Sequence, residues 1–168
     1  MSQLSLSLDT SLLVRDAHGH YLPATADQIL DAARRVIDQT VCRGAELSSP
    51  QTVRDFLRTK LAGFTYEVFS VMFLDNRHRL IEYVEMFRGT IDGASVYPRE
   101  VVKEALAHNA AAVIFSHNHP SGVAEPSQAD ELITHRLKDA LALVDIRVLD
   151  HVIVAGNDTT SFAARGLL

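Results

Sequence analysis

The run Val68-Phe69-Ser70-Val71-Met72-Phe73-Leu74 is apolar at every position but one and ends in the polar turn Asp75-Asn76-Arg77. A segment of strand length that is apolar on both sides belongs in the interior of a sheet covered on both faces. Two more strand-length runs follow, Ala111–Phe115, also apolar on both sides, and the largely apolar Ile146–Val154, and helical periodicity lies between them. That alternation predicts an α/β fold. A chain of 168 residues, 47% hydrophobic and 22% charged, has room for one domain with a substantial core and not for a second full domain.

Residues 1–24 show no helical period and end in Tyr21-Leu22-Pro23, which reads as an arm or edge strand. From Thr25 the order Thr-Ala-Asp-Gln fits a capping box, with Gln28 reaching back to the cap. Ile29, Ala32, Ala33, Val36, Ile37 and Val41 then recur at helical spacing to about residue 43 and predict the inward face of a helix. A second helix opens at Ser49-Pro50 with Val53, Phe56, Leu57 and Leu61 inward, so residues 25–62 form a layer of N-terminal helices.

Residues 63–168 carry the rest of the fold, and all three segments are expected to form one globular unit. Leu80–Phe87 pairs as a hairpin with the first strand until Gly89 and the 89–97 loop break it. Pro98 starts a helix that buries Val101, Val102, Ala105 and Leu106. Ser116 to Pro126 reads as a loop, Ser127 caps a helix running to about Leu143, and Gly156-Asn157-Asp158 turns the chain into its tail.

The balance of 16 basic against 21 acidic residues, a formal charge of −5, gives no support for a broad nucleic-acid surface and leaves room only for a local basic patch. The single cysteine, Cys42, forms no internal disulfide and reads as a small buried hydrophobe. No apolar run is long enough for a membrane span, and the opening residues lack the order of a signal peptide, so the expected compartment is the cytoplasm.

The chemistry concentrates in Ser116-His117-Asn118-His119-Pro120-Ser121-Gly122, where two imidazoles stand two residues apart as a buried strand runs out. In extended chain such residues point to the same side, so both rings can converge on one ion, and imidazole suits zinc. Along the following helix, positions 130, 133, 137 and 141 share a face on which Asp130 precedes Ile133, Leu137 and Leu141. A carboxylate aimed at a core needs a partner, and a metal cation is one. His117, His119 and Asp130 are therefore the candidate ligands of one zinc per chain, with the fourth position left for water. Hydrolysis there also needs a base and an oxyanion donor, for which Glu67 and Ser127 are the candidates. The second pair, His18-Gly19-His20, has no carboxylate at a convincing spacing, and His78, His108, His135 and His151 read as surface or ordinary core residues.

Glu67, His117-Asn118-His119-Pro120 and Ser127-Gln128-Ala129-Asp130 together resemble the JAMM (MPN-plus, JAB) metalloprotease signature. Within that superfamily the blocks Phe87-Arg88-Gly89-Thr90-Ile91-Asp92, Val96-Tyr97-Pro98-Arg99-Glu100, His117–Gly122 and Val148-Leu149-Asp150-His151 are most similar to RadC, over about residues 50–155. The resemblance implies a cytidine-deaminase-like (JAB/MPN) α/β fold, a mixed sheet flanked by helices, with zinc on His117, His119 and Asp130. It also implies peptide or isopeptide hydrolysis of an unknown protein or peptide substrate. Glu67 would move the proton and Ser127 would steady the oxyanion.

Longer RadC proteins carry a helix-hairpin-helix region ahead of this domain, and no Gly-containing hairpin that suits one lies between 26–43 and 50–62 here. The competing expectation is a RadC-like DNA-repair accessory protein whose zinc site is structural or vestigial. An HNH nuclease is suggested only by the letters of residues 117–119, and their spacing with Asp130 suits a single shared ion instead. An edge strand or the N-terminal arm could pair two copies into a homodimer.

Overall fold

The computed structural model describes residues 12–40, 44, 49–90 and 94–168. In chain order its elements are β1 (Leu13–Arg15), β2 (Tyr21–Pro23), α1 (Ala26–Thr40), α2 (Pro50–Leu61), β3 (Val68–Leu74) and β4 (Leu80–Arg88). They continue with α3 (Pro98–Ala107), β5 (Ala112–Asn118), α4 (Gln128–Ala142), β6 (Arg147–Ala155), β7 (Asp158–Ser161) and α5 (Phe162–Arg165). The described part of the N-terminal arm is the small hairpin β1–β2. The predicted capping box at Thr25 forms, with Thr25 N–H donating to Gln28 Oε1 at 2.9 Å and Gln28 N–H to Thr25 Oγ1 at 3.3 Å.

The main sheet has the order β4-β3-β5-β6-β7. It is mixed: β3 runs antiparallel to β4 and β5, β5 parallel to β6, and β6 antiparallel to β7. As the apolar run predicts, β3 is buried along its whole length. Its alternate side chains serve two cores. Val68, Met72 and Leu74 meet Val53, Phe56, Leu57 and Leu61 of α2 on one face. Phe69, Val71 and Phe73 meet Val101 and Ala105 of α3 and Leu137 and Leu141 of α4 on the other. A parallel neighbour cannot be reached by a tight turn, so the chain leaves the end of β5 and returns through α4 to start β6. That crossover places the head of α4 beside the C-terminal end of β5.

Three expectations need correction. Ile29, Ala32, Ala33 and Val36 of α1 are exposed, and among the described members of the predicted inward set only Ile37 packs on the core. The helix is rotated because Arg34 donates to the carbonyl of Ala62, just past the end of α2, at 2.6 Å and lies 4.8 Å over the Phe64 ring. A guanidinium on a long apolar stem thus satisfies a helix-end acceptor and packs at once. Val41, Cys42 and the end predicted at residue 43 lie outside the described residues, as do Ile91 and Asp92. Leu106 is 54% exposed, because α3 meets the core through Val101 and Ala105 and the next position lies about 100° round the helix.

The third correction matters most for the site. β5 does not end at Phe115: it pairs on through Asn118, with His117 opposite Phe69 on one side and Ile153 on the other. The predicted loop therefore starts later, and His117 is a strand residue. The tail beyond Gly156 is also ordered, as β7 and α5, and it buries Phe162 completely.

Leu137 is fully buried between α4 and the sheet. Leu137→Ala is expected to lower the unfolding free energy by about 2–5 kcal/mol, seen as a lower urea midpoint at unchanged m value.

Candidate metal centre

His117 is the penultimate residue of β5, with a side chain only 1% exposed, and His119 follows where the strand ends. Asp130 stands in the first turn of α4, whose cap is Ser127. His117 Nε2 lies 2.9 Å from His119 Nε2 and 3.3 Å from Asp130 Oδ1, and His119 Nε2 lies 3.6 Å from Asp130 Oδ2. Zinc bonds of about 2.0–2.1 Å in a tetrahedron separate ligand atoms by roughly 3.3 Å, close to the 2.9 and 3.3 Å from His117 Nε2 to His119 Nε2 and to Asp130 Oδ1. The donor set therefore fits a divalent ion that favours nitrogen and oxygen. It is the one cluster of three or more such groups found among the described residues. The pair His18 and His20 sits instead in the exposed β1–β2 turn, held to Asp16.

Hydrogen bonds decide which atoms are offered. The Val123 carbonyl can only accept, so at 2.7 Å it takes the Nδ1 proton of His119 and leaves Nε2 for the ion. Asp130 Oδ2 accepts from the Ser127 backbone N–H at 2.8 Å and the Ser127 hydroxyl at 2.6 Å, which leaves Oδ1 turned toward His117. The surroundings act differently on the three groups. Burial pushes the His117 imidazole down to about 4, so it is a neutral base. The hydrogen bond to Asp130 raises His119 against the effect of burial. Burial opposes the charged form of Asp130, yet bonds from His119 and Ser127 and the proximity of His117 hold its pKa well below the carboxylate range.

All five predicted site residues, Glu67, His117, His119, Ser127 and Asp130, line one open cleft of about 480 Å³. Glu67 immediately precedes β3, its backbone paired with Thr90 and Gly89 at 2.9 and 2.8 Å. Asn118 braces the same residue from the other side: its amide accepts from Val68 N–H at 2.8 Å and donates to the Tyr66 carbonyl at 2.9 Å. The peptides before and after Glu67 are thus tied to the strand between the two histidines. The Glu67 charge is felt at His119, where it favours protonation. The Ser127 hydroxyl spends its proton on Asp130 Oδ2 and accepts from Asp130 N–H at 3.2 Å, so here it orients the carboxylate and caps the helix.

Two neighbours were not singled out from the sequence. His151 on β6 and Thr134 on α4 are both fully buried, and His151 Nε2 lies 2.8 Å from His117 Nδ1. A signal was present in each case. Thr134 falls on the helical face of Asp130, Leu137 and Leu141, and His151 opens the apolar run Val152-Ile153-Val154, where a polar ring needs partners.

Comparison with known proteins gives the family of the chain. The family model described as RadC-like JAB domain matches residues 47–167. The chain belongs to the RadC family. The mixed α/β sheet is the one expected of the JAB/MPN fold. A UPF0758 protein of Nitrosococcus oceani is 65% identical over 139 residues, covering 83% of this RadC-family chain and 62% of the relative. One from Thioalkalivibrio sulfidiphilus is 61% identical over 145 residues, covering 86% and 65%. One from Vibrio cholerae is 61% identical over 141 residues, covering 84% and 89%. The chain thus spans less than two thirds of the length of the first two relatives. Among the described residues no helix is long and apolar enough to cross a membrane.

Elemental analysis of untagged protein should find about one zinc per wild-type chain and none in His117→Ala. Metal that binds only the folded state adds stability, about 2.7 kcal/mol at roughly 100 times its dissociation constant. Thermal unfolding with and without zinc should show that gain in the wild type and lose most of it in Asp130→Ala. An equal gain in the variant would remove Asp130 from the ligand set.

Proposed function

We propose that this RadC-family protein is a zinc-dependent hydrolase that cleaves peptide or isopeptide bonds in a protein substrate. The observation that carries the reading is the placement of Glu67 in the same open cleft as the three converging ligand groups. Three protein ligands leave a coordination position free, as a catalytic site requires and a structural site does not. Zinc held by His117, His119 and Asp130 would supply Lewis acidity, which makes water a nucleophile at neutral pH and polarises a carbonyl.

The chain's own residues supply the rest. Glu67 takes a proton from the attacking water and returns it to the leaving amine, a role that needs a carboxylate held still at the cleft edge. Asn118 provides that restraint from β5, and Gly89 and Thr90 provide it from the β4 side. Ser127 has two bonds to Asp130 Oδ2, so its backbone N–H keeps the carboxylate oriented when the hydroxyl turns to the developing oxyanion. Phe69, Val96 and Ile133 give the cleft an apolar wall beside these polar groups.

Glu67→Gln should keep its zinc and lose hydrolysis by roughly 10²–10⁴-fold, because it removes the base and no ligand. Cleavage of a proteome-derived peptide library and of ε-linked lysine conjugates, read by mass spectrometry, checks this. Turnover equal to wild type in the zinc-loaded variant would take Glu67 out of the mechanism.

A further inference from the structure

We propose that His151 and Thr134 are positioning residues that fix the tautomer of His117, so that Nε2 and not Nδ1 is presented to the metal. The inference rests on the metal reading above, but its logic is a count of protons. Thr134 Oγ1 lies 2.5 Å from the Asp130 carbonyl, which has no proton to give, so the threonine hydroxyl donates there. With its one proton committed, that oxygen can only accept from His151 Nδ1, 2.6 Å away. His151 therefore carries its proton on Nδ1.

The His151 ring stacks on Phe162 at 4.7 Å and meets the edges of Phe69 and Phe115, an apolar cage that favours the neutral imidazole. Its Nε2 is then a lone pair, 2.8 Å from His117 Nδ1, and accepts the His117 proton. His117 Nε2 is left bare, facing His119 and Asp130. The chain of bonds runs one way, from His117 through His151 and Thr134 to Asp130. His119 receives the same instruction from a backbone carbonyl, whereas His117, buried inside the sheet, receives it from two side chains on neighbouring elements.

Two measurements test this. The first needs no metal: two-bond proton–nitrogen correlation NMR of the metal-free wild type reports the protonated nitrogen of each ring. Both His117 and His151 are expected to carry the proton on Nδ1, and a His117 proton on Nε2 would overturn the proposal.

The second compares zinc dissociation constants, by chelator competition, and cobalt(II) absorption spectra for wild type, His151→Phe, His151→Gln and Thr134→Val. His151→Phe keeps the aromatic packing without the acceptor, and His151→Gln returns an acceptor near the Nε2 position. The expected result is roughly 10–100-fold weaker zinc binding and altered cobalt bands in His151→Phe, a smaller loss in Thr134→Val, and substantial recovery in His151→Gln.

Equal affinity and spectra in His151→Phe and wild type would refute the relay. So would a His151→Gln variant as weak as His151→Phe, which would make the ring a packing element only. If His151→Phe does not fold by circular dichroism, Thr134→Val against wild type decides in the same terms. A wild type that binds no zinc while the NMR shows the expected tautomers would sink the metal reading and leave the hydrogen-bond relay standing without its purpose.

Discussion

The arrangement of this protein depends on an imidazole that cannot reach water. His117 lies one residue short of the end of a strand covered on both faces, so each of its ring nitrogens must find a partner within the fold. One nitrogen turns inward to His151 and the other toward His119 and Asp130. A solvated histidine at the same place would impose no such order. Burial also holds the ring neutral, which is the state a ligand needs.

Topology makes those partners available. Because β5 and β6 are parallel, the chain between them must cross over, and the crossover helix starts where the strand stops. Its first turn brings Asp130 to the ligand side, and Thr134 one turn later reaches the inner side of the same imidazole network. Parallel register places His151 opposite Phe115, two residues before His117. The short C-terminal helix α5 then closes the pocket around His151 with Phe162. Sites at the carboxyl ends of strands are a general outcome of such sheets.

Much of this was legible in the sequence because it depends on local period. The seven-residue run of β3, the stripe Asp130-Ile133-Leu137-Leu141, the caps at Thr25, Ser49 and Ser127, and the spacing of His117 and His119 all specify geometry within a few residues. What failed to show depends on contacts between distant segments. The α1 face turns on Arg34 meeting Ala62 and Phe64, and no periodicity predicts a guanidinium inward. The true end of β5 is set by pairing with β3 and β6, not by where its apolar letters stop. His151 looked ordinary because its two partners lie 17 and 34 residues away.

Asn118 stands between the two histidines, and its direction follows from theirs. In extended chain the residue between two that face one side must face the other, so Asn118 points away from the cleft and toward the start of β3. There the backbone ladder between β3 and β5 ends at the pair Phe69 and His117, and the Asn118 amide takes over the next rung. A side chain spans a wider gap than a peptide does. The amide therefore reaches the lead-in to β3 beyond the last ladder pair and ties it to β5 by both of its polar atoms. Asn118 works as a splice, carrying the hold of β5 past the last rung of the ladder to the two peptides that flank Glu67.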